Sequence, residues 1–88
     1  MKLNFKKFKK YTKVDRSAFV EVDVRETFAD RIYNETGTGI ADLKLAEKIY
    51  ASDENTDFTL EEINRMKKHA EGCIPWFVDG FEQILNNN

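Results

Sequence analysis

Cysteine and proline occur once each in 88 residues, and glycine only four times. A single thiol, Cys73, excludes an internal disulfide and fits a reducing compartment. With Pro75 and four glycines as the only strong breakers, long loops are not expected. No stretch approaches the roughly 18 consecutive apolar residues that a membrane span needs. The opening MKLNFKKFKK has the positive flank of a secretory leader, but no apolar run follows it. Internal repeats are lacking, and the one low-complexity tract is the polar tail at residues 86–88, expected to fray. The expectation is a cytoplasmic protein with no membrane attachment.

What is present suffices for a small core. Residues 1–88 make a single domain, since a chain this short has no room for a second. Such a chain buries somewhat over about 60% of the surface its unfolded form exposes. Seven Phe, three Tyr and Trp76 supply bulk, and a 41% apolar fraction argues against disorder despite 34% charged residues.

Charge is sorted by position. Residues 1–16 carry Lys2, Lys6, Lys7, Lys9, Lys10, Lys13 and Arg16 against Asp15 alone, a net +6. Residues 17–88 carry seven basic and fifteen acidic side chains, a net −8. The total of −2 hides a basic segment on an acidic body. Such sorting favours a partner that is anionic or that docks across the boundary.

Periodicity gives the fold class: α+β, mainly helical, with an N-terminal two-stranded antiparallel β element followed by about four short helices. In AFVEVDV, Val20, Val22 and Val24 face one way, Glu21 and Asp23 the other. Its partner is LNFKKFKKYTK, where Leu3 and Phe5 alternate as in a strand while Phe5 and Phe8 are spaced as on a helix. Strand and helix both remain open for residues 3–10. A first helix is expected from Asp23 as N-cap with Glu26 completing a capping-box variant. Its stripe is Val24, Phe28 and Ile32, flanked by Ala29 and Tyr33, and Gly37 and Gly39 end it.

The second helix should run over about residues 40–51 on a face of Leu43, Ala46 and Tyr50, with Leu45 and Ile49 adjacent. Thr59 and Glu62 form a capping box for the third helix, where Phe58 can staple onto Ile63. Ile63, Met66, Ala70 and Cys73 make the third helix's stripe, and Gly72 is its expected C-terminal cap. Pro75 suits the first turn of a fourth helix packed through Phe77, Phe81 and Ile84. Gly80 inside that helix costs roughly 1 kcal/mol against Ala, explicable if another backbone packs close there.

Catalytic and metal constellations fail on inspection. Asp53 to Asp57 imitates a calcium loop, but Phe58 and Asn64 stand where its glycine and bidentate glutamate belong. His69 and Cys73 are four apart, yet zinc needs three or four ligands and the chain has no second Cys or His. Cys73 reads as a structural thiol, and His69 as a helix-flank residue helping the C-terminal carbonyls. A helix-turn-helix wants three or four turn residues where about seven separate helices two and three, and Glu61 and Glu62 would repel phosphate. Paired carboxylates are adjacent in sequence and splay apart, and the glycines of GTG do not match a phosphate loop. No enzyme activity, cofactor or metal is expected.

The candidate binding residues lie in the basic segment. Lys6, Lys7, Lys9, Lys10 and Lys13 interleave with Phe5, Phe8 and Tyr11, and Trp76 is a further candidate, either wrapped into the core or exposed as a hot spot. Lysine beside aromatics serves nucleic-acid binding, since ammonium groups neutralise phosphate and rings stack on bases. Edge lysines that blunt a sheet serve solubility instead. A third use is to clasp the acidic body of the same or a neighbouring chain. The lysines lack an arginine companion for reading guanine, which weakens base-specific recognition.

Taken together, VDVRETFADRIY, TGTGIADLKLAEKIY, FTLEEI and CIPWFVDG resemble a group of small uncharacterised proteins encoded by phages and prophages of gut bacteria. The resemblance spans about residues 2–83 and rests on fold signatures: a strand, capped helices and a Pro-led last helix. It implies an accessory or assembly protein that binds other proteins, and it carries no functional residues over. The expectation is therefore a non-enzymatic protein-interaction or assembly protein with a protein partner, including a second copy of itself. The alternative is a nucleic-acid-binding accessory protein using the basic aromatic segment.

Overall fold

Phe8 and Lys9 begin to alternate between core and solvent only after a tight turn, and that turn sets the N-terminal architecture. The computed structural model describes residues 1–35 and 39–86. The Asn4 side chain accepts hydrogen bonds from the amides of Lys6 and Lys7, both at 3.1 Å. Residues 3–10 are thus a buried extended start, a turn, and then a strand. Strand β1 (Phe8–Tyr11) pairs antiparallel with β2 (Phe19–Val22), Phe8 opposite Val22 and Tyr11 opposite Phe19. Four helices follow: α1 (Arg25–Asn34), α2 (Gly39–Tyr50), α3 (Leu60–Ala70) and α4 (Pro75–Asn86). The α+β class, strand pair first and helices after, is as the periodicity gave it.

The core is aromatic. Phe5, Phe8, Phe28, Phe77 and Phe81 are all buried, with ring centroids 5.0 Å apart for Phe8–Phe77 and 4.8 Å for Phe28–Phe77. Such pairs contribute about 0.5–1.5 kcal/mol beyond their burial. Helix α4 lies on β1 through Gly80, where an added Cβ would stand 2.7 Å from the Lys9 carbonyl oxygen. Close backbone approach, inferred from the cost of that glycine, is what the fold uses it for.

Several local expectations are corrected. Helix α1 begins two residues later than Asp23: Val24 is the N-cap, without a side-chain bond. Asp23 still accepts from the Arg25 amide at 3.1 Å, but its carboxylate is also forked by the Arg25 guanidinium at 2.8–3.2 Å, so it stands one residue before the N-cap. Gly39, at φ 75°, opens α2 rather than ending α1, and Gly37 lies outside the described residues. The buried face of α2 is Asp42, Leu45, Ala46 and Ile49, rotated from the expected one, and Tyr50 is exposed. The rotation brings Asp42 in to face His69.

The third helix has its capping box, Thr59 with Glu62, and both staple residues Phe58 and Ile63 are buried. It stops at Ala70, so Cys73 lies beyond it and is only half-buried. Gly72 is no left-handed cap; it lies against the Arg31 guanidinium. Asn86 belongs to α4 rather than to a frayed tail, and residues 87–88 are outside the description. No helix among the described residues is long and apolar enough to cross a membrane.

Candidate binding surface on the hairpin

Opposed residues in an antiparallel pair share a face of the sheet. The register therefore puts Phe8 and Lys10 toward α4, and Lys9, Tyr11, Phe19 and Glu21 outward. On the inner side Phe8 is 0% exposed, stacked on Phe77 and edge-on to Trp76. It cannot stack on a base, which removes Phe8 from the binding residues proposed from sequence. Trp76 is half-buried, and the Lys10 ammonium sits over its ring at 4.9 Å from the centroid. Lys10 and Trp76 thus engage each other within the fold.

On the outer side the picture differs. Tyr11 and Phe19 meet edge-to-face at 6.1 Å, Phe19 is 48% exposed, and the Lys9 ammonium lies 4.9 Å above the Phe19 ring. Beside this pair, Lys2, Lys7, Lys9 and Tyr11 line a groove of about 260 Å³ that β1 forms with Gly80, Gln83 and Ile84 of α4, and no carboxylate lines it. Lys6 and Lys13 are exposed nearby in sequence. Among the described residues none of these lysines is in an ion pair. Phe19 escaped the sequence reading because its strand looked half-buried. The clue was the pairing register, which only a known hairpin loop supplies.

The segment clasps acidic side chains of its own body at its ends, through Arg16 and Met1 rather than through its lysines. Arg16, at φ 60° in the hairpin loop, forks Asp79 of α4 with bonds of 2.6–3.1 Å. The Met1 amino group bonds Asp57 at 2.5 Å. The Arg16 fork fixes the hairpin loop against α4, and the Met1 contact fixes the start of the chain against the segment between α2 and α3.

A second surface lies between α1 and α2. Tyr33 and Tyr50, 67% and 59% exposed, line a groove of about 260 Å³ with Ala29 and Ala46 and the carboxylates Asp30 and Glu47. Tyr50 also lines an adjoining hollow with Asp23, Arg25 and Glu26, where Arg25 is already held by Asp23.

His69 and Cys73 do not converge. His69 is 5% exposed and not on the helix flank; its Nε2 lies 3.4 Å from Asp42 Oδ1, and Arg65 reaches Asp42 Oδ2 at 3.5 Å. Asp42 Oδ1 is buried without a hydrogen bond. The Cys73 thiol points to the His69 carbonyl at 3.6 Å, not to the ring. Burial pushes that thiol above its ordinary value, the wrong direction for a nucleophile. Asp53 of the calcium-like loop accepts from the Asn55 amide and the Thr56 hydroxyl, as an ordinary turn residue.

No protein-family model, curated protein or solved structure matches the chain.

Proposed function

We propose that the protein is a non-enzymatic interaction module of a phage or prophage element, working in the cytoplasm as an accessory or assembly protein. It binds an acidic surface on a protein partner through the outward face of the β1–β2 hairpin. The observation that carries this reading is the set of exposed lysines, none of them ion-paired among the described residues, around the Tyr11–Phe19 pair. Lysines that only kept a sheet edge soluble would have no use for a half-exposed phenylalanine beneath one of them.

The same face favours one second reading, a nucleic-acid accessory role. Lys9, Tyr11 and Phe19 form a small aromatic platform beside cations, the combination that single strands track. Glu21, opposite Lys9 on that face, repels phosphate and acidic protein alike, so it does not separate the two readings. Titration of labelled polyglutamate and labelled single- and double-stranded DNA and RNA separates the two. Binding of polyglutamate alone supports the protein reading. Oligonucleotide binding that Phe19→Ala weakens supports the second. No binding of any probe at low salt overturns both.

A further inference from the structure

We propose that the groove between Tyr33 of α1 and Tyr50 of α2 receives the lysine face of a second copy of this chain, so that the protein self-assembles through two different surfaces. The inference rests on the reading of the hairpin face as a binding surface and names its partner.

The groove is built for a cationic chain. Its floor is Ala29 and Ala46, small enough to admit an extended side chain between the two helices. Its walls are two exposed tyrosines, whose ring faces attract ammonium groups by about 0.5–1 kcal/mol at exposed sites. Its rim carries Asp30 and Glu47, and Glu26 continues the acidic line one turn toward the start of α1. Lys44, 3.9 Å from Glu47, offsets one of these charges through an exposed pair, while Asp30 and Glu26 are in no ion pair among the described residues and Arg25 is held by Asp23.

The complement of this groove is present on the same molecule. Lys7 and Lys9 are exposed on a groove that contains no carboxylate, and the two grooves share neither a lining residue nor a secondary-structure element. One chain therefore offers both halves of a contact without blocking either. Because donor and acceptor surfaces differ, the contact is heterologous: it repeats from copy to copy unless two copies exchange reciprocally. A groove lined by six residues is small beside the roughly 20–30 residues a side of a stable complex. The association is weak, concentration-dependent and weakened by salt.

Sedimentation and light scattering from micromolar to millimolar protein, at low and high salt, read this directly. Wild type should exceed one chain mass as concentration rises at low salt, and return to it at high salt. Lys7→Glu with Lys9→Glu, and separately Asp30→Lys with Glu47→Lys, should each hold the protein at one chain. Mixing those two variants should restore a two-chain species, since the second still carries the lysine face and the first still carries the acidic groove. Tyr33→Ser with Tyr50→Ser, which leaves charge untouched, should also weaken association. Circular dichroism confirms that each variant is folded. A wild type that stays at one chain throughout overturns the proposal, as does association that survives the Asp30 and Glu47 reversal. If wild type stays single yet binds polyglutamate or oligonucleotide in a lysine-dependent way, the binding reading survives and only the second-copy occupant is lost.

Discussion

Gly80 of α4 rests against the backbone of Lys9 in β1, so close that a methyl group there would meet the Lys9 carbonyl oxygen at 2.7 Å and the Phe8 ring at 2.5 Å. This contact seats the hairpin on the last helix. It decides which face of the hairpin is core and which is left for binding.

Gly80→Ala should therefore destabilise the protein, although Ala favours a helix interior by roughly 1 kcal/mol. Overpacking against backbone costs typically about 1–3 kcal/mol and outweighs that gain. A lower urea midpoint at unchanged slope is the expected result. A higher midpoint would show α4 standing away from β1.

Phe8 and Phe19 should behave oppositely. Phe8→Ala opens the aromatic core and should cost about 3–5 kcal/mol. Phe19→Ala removes a half-exposed ring and should cost under about 1 kcal/mol while weakening partner binding. Thermal unfolding and binding of the same two variants check both halves. Similar stability losses for the two would contradict the face assignment.

Cys73 should react slowly with thiol reagents in the folded protein and fast after denaturation, because burial raises its pKa and removes thiolate. Rapid labelling of the native protein at neutral pH would instead point to an activated thiol.

Acid should weaken the fold. Burial raises the Glu62 carboxyl, but its bonds to Lys48 at 2.9 Å and to the Thr59 amide at 2.8 Å together hold it below its ordinary value. The Arg25 guanidinium does the same for Asp23. A carboxyl depressed in the folded state adds stability above its unfolded value, and loses it as pH falls through the folded value. The melting temperature should thus hold above about pH 5 and decline below about pH 4. Glu62→Gln keeps the capping acceptor and loses the charge, so the decline should flatten. Thr59→Ala should instead cost about 1 kcal/mol at every pH, through loss of the cap. An unchanged acid slope in Glu62→Gln would remove that ion pair from the account.

Much of this architecture was legible because local chemistry and tertiary demand agreed. The Thr59–Glu62 box, Pro75 at the start of α4 and the strained-looking Gly80 each have one physical reading, and each is realised. The misreadings share a cause. Asp23 could cap a helix or fork Arg25 and does part of both, while the expected Leu43–Tyr50 face of α2 gives way to one that brings Asp42 against His69 and Arg65. In both cases a charged partner decided the outcome: two residues along the chain for Asp23, and on another helix for Asp42. The binding surface was only half legible. The lysines could be read from composition, but Phe8 left the candidate surface and Phe19 joined it once the register of β1 against β2 was known.

The most direct test of the lysine–aromatic face is fluorescence anisotropy against labelled polyglutamate, DNA and RNA, comparing wild type with Lys6→Glu, Lys7→Glu and Lys9→Glu combined. Salt-sensitive binding that the combined variant loses is the expected result. For nucleic acid its slope should be about 0.7–0.9 log units per log unit of salt for each phosphate neutralised. Equal behaviour of wild type and variant on every probe, at low salt and with both proteins folded, would contradict the assignment of this face as the binding surface.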